Sequence, residues 1–260
     1  MTNYIMEMRP HFQMNHFSST LTNDENDGST PAKITSQGGR GIQSETQSGG
    51  QDDAHFHARR VLILFAHPRF EKSRVNRALL SALPVSDAIT LHDLYELYPD
   101  YNIDVEAEKQ LLLTHDILIW HHPFYMYSAP AILKQWLDLV LEYGWAHGDG
   151  GDFLKDKTAF NVITTGGTRE AYRSDGFNRF TIREFLCPFE QTARLCKMNY
   201  LPPFAVQGTY RLTDGELSGY ATDYAFLLQQ LSAGPDSYEE MEKFDFLNDW
   251  IAAGQRTPTP

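Results

Sequence analysis

Between residues 60 and 231 the chain alternates short apolar runs with stretches in which apolar residues recur every three or four positions. Residues 61–66 (VLILFA) carry no polar residue and stop at a polar turn, as a strand buried on both faces requires. Residues 73–83 follow with Val75, Leu79, Leu80 and Leu83 at helical spacing, and Pro84 stops them. A short strand is predicted at 88–92, a helix at 104–113 capped by Asp104, and a strand at 116–121. A long helix over 129–142 carries Ile132, Leu133, Trp136, Leu137 and Val140, and a fourth strand spans 158–164. The pattern then gives a helix at 185–198 with an irregular entry at Pro188, a fifth strand at 203–207 and a closing helix at 217–231.

Five strands alternating with helices imply an α/β fold with a doubly wound parallel sheet and helices on both faces. The flavodoxin-like five-stranded order 2-1-3-4-5 fits best, because polar Gly- and Pro-punctuated loops follow the first, third and fourth strands. Ligands of such sheets sit outside the carboxyl ends of the strands, so the three loops describe one pocket.

Composition changes sharply near residue 58. Residues 1–58 are rich in Ser, Thr, Asn, Gln and Gly without apolar periodicity, and are read as a disordered low-complexity tail. The folded domain is placed at 59–233 and a C-terminal tail at 234–260, with one short amphipathic helix around 238–251 on Met241, Phe244, Phe246, Leu247 and Trp250. The net charge of −12 argues against nucleic acid as a partner. No apolar run reaches the roughly 20 residues of a membrane span, and the N-terminus lacks the pattern of a signal peptide. Cys187 and Cys196, the two cysteines, read as reduced core thiols in a cytosolic protein, with a bridge between them left open.

The first loop offers Ser73, Arg74, Val75 and Asn76 at a helix start, where free N–H groups and the helix dipole suit a phosphate. Ser73 also reads as a plain N-cap. No GxGxxG follows the first strand and no GxxxxGK[ST] occurs, so neither a dinucleotide fingerprint nor a P-loop is indicated. The second loop, PFYMYS, with Pro123, Phe124, Tyr125 and Met126, is apolar and aromatic, suited to flank a flat conjugated ring or to fill core. The third, with Thr164, Thr165, Gly166 and Gly167, lets backbone approach a ligand closely, or is a tight turn. Together they favour a phosphorylated flat cofactor such as FMN. No metal is expected: His121 and His122 point to opposite faces of a strand, His55 and His57 have no further ligand nearby, and HGDGGD at 147–152 lacks the acidic spacing of a calcium loop.

The segments AHPRFEKSRVN, HDLYELYPDYNIDVEAEKQ, HHPFYMYSAPAILKQWLDLVLEYGWAHGDGG, VITTGG and NYLPPFAV resemble the flavodoxin-like NAD(P)H:quinone oxidoreductases. The likeness is greatest to the ancillary subunits of bacterial glutathione-gated potassium efflux systems, and covers about residues 60–231. It implies FMN, two-electron ping-pong hydride transfer from NAD(P)H to a quinone, and a homodimer with active sites at the subunit interface. It further implies a cytoplasmic protein that docks peripherally on the inner face of the cell membrane, on a potassium/proton antiporter. Carried over by position, His67, Ser73, Arg74, Val75 and Asn76 bind the FMN phosphate. The backbone of Pro123, Phe124, Tyr125 and Met126 borders the isoalloxazine, and Thr164, Thr165, Gly166 and Gly167 reach its pyrimidine side. Met126 stands where relatives usually have Trp, and Tyr172 aligns with a catalytic Tyr, a residue read equally as loop packing. Asn178 stands where animal quinone reductases have a His; it hydrogen-bonds but cannot relay a proton near neutrality. Two other classes are weighed: a regulatory FMN-binding subunit that activates the antiporter by contact, and a one-electron flavodoxin-type shuttle.

Overall fold

A computed structural model describes residues 58–234 and 238–256. Expectations for residues 1–57, including the His55 and His57 pair, lie outside the described residues. In β1 (Val61–Phe65), Val61 and Ile63 enter one apolar cluster while Leu62 and Leu64 enter another. That alternation explains the run without polar residues: successive side chains point to opposite faces, and both faces are covered.

The strands β2 (Ile89–Asp93), β3 (Ile117–Pro123) and β4 (Thr158–Thr165) join β1 in a parallel sheet of order β2-β1-β3-β4, extended on the far side of β4. The fifth lane is split. β5 (Asn199–Tyr200) pairs with Thr158 and Ala159, and β6 (Phe204–Gln207) pairs with residues 162–165 of the same strand. Between them lie Pro202 and Pro203, which have no N–H to give the ladder. The order 2-1-3-4-5 therefore holds, with the fifth strand in two pieces.

One face is covered by α1 (Arg74–Ser81) and α7 (Asp214–Ala233), the other by α3 (Val105–Leu113), α4 (Ala131–Val140) and α6 (Cys187–Leu195). Ser73 and Asp104 cap α1 and α3, their side chains accepting from the N–H of Asn76 and Ala107. A short α2 (Leu94–Leu97), capped by Asp93, is an element the periodicity does not show. The helix expected over 185–198 is α6, shorter than expected, and a separate α5 (Ile182–Phe185) precedes it across Leu186. Pro188 lies in the first turn of α6, where a missing N–H is harmless.

Beyond Gly234 the chain forms two helices rather than one, α8 (Glu239–Glu242) and α9 (Leu247–Arg256). Met241, Leu247 and Ile251 are buried against the α1–α7 side, and Arg169 forms a bidentate pair with Asp249. Phe244, expected on the apolar face, is not among the buried residues. Both cysteines are free, and Cys196 is buried as a core thiol should be, but Cys187 is exposed at the start of α6 rather than in the core. Among the described residues no helix is long and apolar enough to cross a membrane.

Candidate active site

Register brings the three loops together. Phe65 pairs with His121, Pro123 with Thr164, and Thr164 with Val206, so the loops leave adjacent lanes at the same edge.

At the first loop, the Ser73 hydroxyl accepts from the backbone N–H and the side-chain amide of Asn76 (3.2 and 2.9 Å). The N–H groups of Arg74 and Val75, at the start of α1, have no acceptor among the described residues. His67 is buried, and its Nδ1 accepts from the Arg69 N–H at 3.1 Å, which places the ring proton on Nε2 as a donor. Burial holds the His67 pKa below its usual value, against the opposing pull of Glu71, so the ring is neutral near pH 7. Two free N–H groups at a helix start and an imidazole donor suit a phosphate.

Two residues of this loop have side-chain partners within the protein. The Arg74 guanidinium turns to the start of α7, donating to Leu212 O at 2.9 Å and pairing with Asp214 at 2.6 Å. Asn76 is buried and spent as a tie: its amide donates to Ser73 and to Thr164 Oγ1 (3.1 Å), and its carbonyl accepts from His121 Nε2 (2.9 Å). Val75 buries its side chain in the core and offers only backbone. His121 in turn faces the Tyr224 hydroxyl, whereas His122 faces the opposite side, donating to Pro123 O and accepting from Asn161. Burial, with the neighbouring His122 and His67, lowers His121 to about 3, and burial lowers His122 to about 4.

The second loop is a tight turn. Tyr125 and Ser128 exchange both backbone hydrogen bonds at 3.0 Å, and the two residues between them, Met126 (φ 46°) and Tyr127 (φ 66°), are left-handed. Positive φ at both central positions is the geometry of a type I′ turn, which normally selects Gly or Asn. Non-glycine residues held there cluster at functional sites. Phe124 is fixed beneath the turn by its N–H bond to Thr164 O (2.8 Å), while Met126 is 88% exposed. Tyr127 stacks on Phe185 at 5.1 Å, and Phe124 meets Phe185 edge-on at 5.6 Å.

The third loop binds the second half of the site. Thr165 Oγ1 and the Tyr172 hydroxyl are 2.8 Å apart, and the Tyr172 ring lies over Gly167, where a Cβ would stand 2.7 Å from it. Tyr172 also packs edge-on against Phe124 at 5.7 Å. Asn178 accepts from the Tyr127 hydroxyl at 3.3 Å, joining the 168–181 segment to the aromatic turn. The structure thus brings His67, Ser73, Phe124, Tyr125, Tyr172 and Asn178 to one edge.

Tyr210 belongs to this edge and is not marked by the three-loop pattern. Its ring lies 2.5 Å from where a Cβ of Gly166 would be, yet it is 91% exposed. Burial and the nearby Tyr210 raise the Tyr125 pKa. Tyr210 follows the carboxyl end of β6, so the signal lay in the same strand-end rule, applied to the fifth lane.

This geometry meets a family description. The model of the flavodoxin-like fold matches residues 59–225. The chain belongs to the flavodoxin-like fold family. Within it, this flavodoxin-like protein is 44% identical over 176 residues to the glutathione-regulated potassium-efflux system ancillary protein KefG of Salmonella paratyphi B, covering 67% of this chain and 96% of the relative. The general stress protein 14 of Treponema denticola, solved in complex with FMN, is 40% identical with a TM-score of 0.63, covering 66% of this chain and 99% of that one. An NADPH-quinone reductase of P. pentosaceus is 33% identical with a TM-score of 0.61, over 68% of this chain and 99% of that one. The flavodoxin-like protein is thus a KefG homologue within the quinone reductase group of the fold.

Proposed function

We propose that the protein is an FMN-dependent NAD(P)H:quinone oxidoreductase. The observation that carries this reading is the joining of a phosphate-suited helix start, an aromatic left-handed turn and a glycine loop at one sheet edge. The FMN complex of the Treponema relative and the NADPH-quinone reductase of P. pentosaceus support it.

The phosphate of FMN would be held by the N–H groups of Arg74 and Val75 and by His67 Nε2–H, with Asn76 keeping Ser73 in its capping position. The backbone of residues 123–126 would border the ring, and Thr164, Thr165, Gly166 and Gly167 would line its polar edge. When bound, FMN supplies a conjugated ring able to accept a hydride and pass two electrons on. The balanced reaction takes one hydride from NAD(P)H and one proton from solvent to give a hydroquinone and NAD(P)+. Tyr125, Tyr172 and Tyr210 would exclude water and orient nicotinamide and quinone, which bind in turn. Tyr172 hydroxyl, held by Thr165, positions substrate; Asn178 fixes Tyr127 and leaves the proton to solvent.

Gly166→Val tests the placement of the glycine loop. A branched side chain there meets Tyr210 and blocks close approach, so FMN affinity measured by flavin fluorescence quenching falls by about tenfold or more. Unchanged affinity in a folded variant would remove this loop from the site.

A second reading rests on the name of the Salmonella relatives, ancillary proteins of a potassium-efflux system. The protein would then dock as a homodimer on the cytoplasmic side of a potassium/proton antiporter, with FMN as a structural group. Antiporter activation that survives loss of turnover in an FMN-retaining variant favours this reading; activation lost with turnover favours redox coupling.

A further inference from the structure

Beside the candidate active site, a cavity of about 270 Å³ opens behind the third loop, lined in part by Gln207, Arg211, Glu216, Tyr220, Phe246 and Asn248. Gly208, on its wall, donates its backbone N–H to Gly167 O (2.8 Å), and none of Thr164, Thr165, Gly166 and Gly167 lines the cavity. Its walls come from β6, the start of α7 and the α8–α9 segment.

Two donors there are buried without a partner: Gln207 Nε2 and Asn248 Nδ2. The Asn248 orientation is fixed, because its Oδ1 accepts from Ala205 N–H at 2.8 Å, so the amide N–H₂ must face elsewhere. Buried donors without an acceptor are rare in folded proteins and call for an occupant. Arg211 adds a guanidinium that makes no ion pair among the described residues. Arg169, also on the wall, is spent on Asp249, and Glu216 has one oxygen committed to Thr213 in the α7 cap. The wall also carries Thr168 and the second Glu216 oxygen, beside the apolar and aromatic side chains of Ala205, Leu212, Tyr220 and Phe246.

We propose that this cavity binds a small oxyanion-bearing molecule, a carboxylate or phosphate on a compact body, independently of the flavin site. The oxyanion takes the amides of Gln207 and Asn248 and the Arg211 guanidinium, and the body rests on Tyr220 and Phe246. At a liquid-water share of roughly 30 Å³, the volume holds about nine waters, room for a molecule of around ten heavy atoms.

The test is calorimetric titration of the full chain with sodium benzoate and, separately, with inorganic phosphate. Two variants locate the heat. Asn248→Asp keeps the acceptor for Ala205 N–H but replaces the donor with a negative charge, and Arg211→Gln removes an exposed cation. Saturable binding of either probe that weakens about tenfold or more in both variants supports the site, and the probe that binds identifies carboxylate or phosphate. Phosphate held at the start of α1 instead would bind both variants and the parent chain equally, which counts against the site. Absence of saturable heat with both probes at millimolar concentration overturns it, leaving the amides to water. Flavin binding and quinone turnover do not enter these readouts, so the outcome is independent of the proposed activity.

Discussion

Asn76 carries more of the site than its place in a helix start suggests. It ties Ser73, Thr164 and His121, residues from three separate lanes, through four hydrogen-bonding contacts. Asn76→Ala leaves His121 Nε2–H buried without an acceptor, and is expected to lower stability by about 2–3 kcal/mol in urea unfolding. The buried histidines set a pH dependence. His121 and His122 have folded pKa values of about 3 and 4 against 6.5 for the free group, so the unfolded chain binds more protons than the folded one between those values. Their stabilising effect is whole above pH 6.5 and is lost as pH falls through about 4 and then about 3, by several kcal/mol in order of magnitude. Urea midpoints across this window check it; a flat profile would contradict neutral burial. Sequence showed that the two histidines face apart, because strand geometry requires it. That Asn76 ties Thr164 and His121 was hidden, because these partners are distant in the chain.

At the scale of elements, the turn at Tyr125 and Ser128 holds two residues in a conformation that L side chains disfavour by roughly 1 kcal/mol or more each. Met126 projects into solvent, so Met126→Gly loses little packing and is expected to stabilise the fold by about 0.5–1 kcal/mol, read as a higher Tm. A lower Tm would mean that Met126 packs against something other than solvent. The helix starts were legible but partly overlooked. Thr181 with Glu184 and Thr213 with Glu216 form capping boxes, and both pairs stand in the sequence at the required spacing. The apolar pattern starts the closing helix at 217, three residues after α7 begins, and starts the helix before it at 185, which leaves out most of α5. Apolar periodicity marks the buried stripe, while caps and first turns are polar and carry no such signal.

For the whole molecule, the alternating pattern and strand-end loops were enough for the sheet order and its ligand edge, since a parallel sheet leaves few topologies. The packed segment after Gly234 was harder to see, because its apolar residues, Met241, Leu247 and Ile251, come from two short helices without a shared period. A chain ending at Gly234 exposes these side chains and should lose on the order of 5 kcal/mol in urea unfolding. Two aromatic residues of the 168–181 segment are exposed, Phe177 at 88% and Phe180 at 54%, and the homodimer of the proposed reading would be expected to cover them. Light scattering is expected to give twice the chain mass. FMN-dependent hydride transfer can be followed by anaerobic rapid mixing of the FMN-loaded protein with NADPH and then with a benzoquinone. Rapid loss of the flavin's visible absorbance, and its full return on adding quinone, is expected. Unchanged absorbance with FMN demonstrably bound would contradict it.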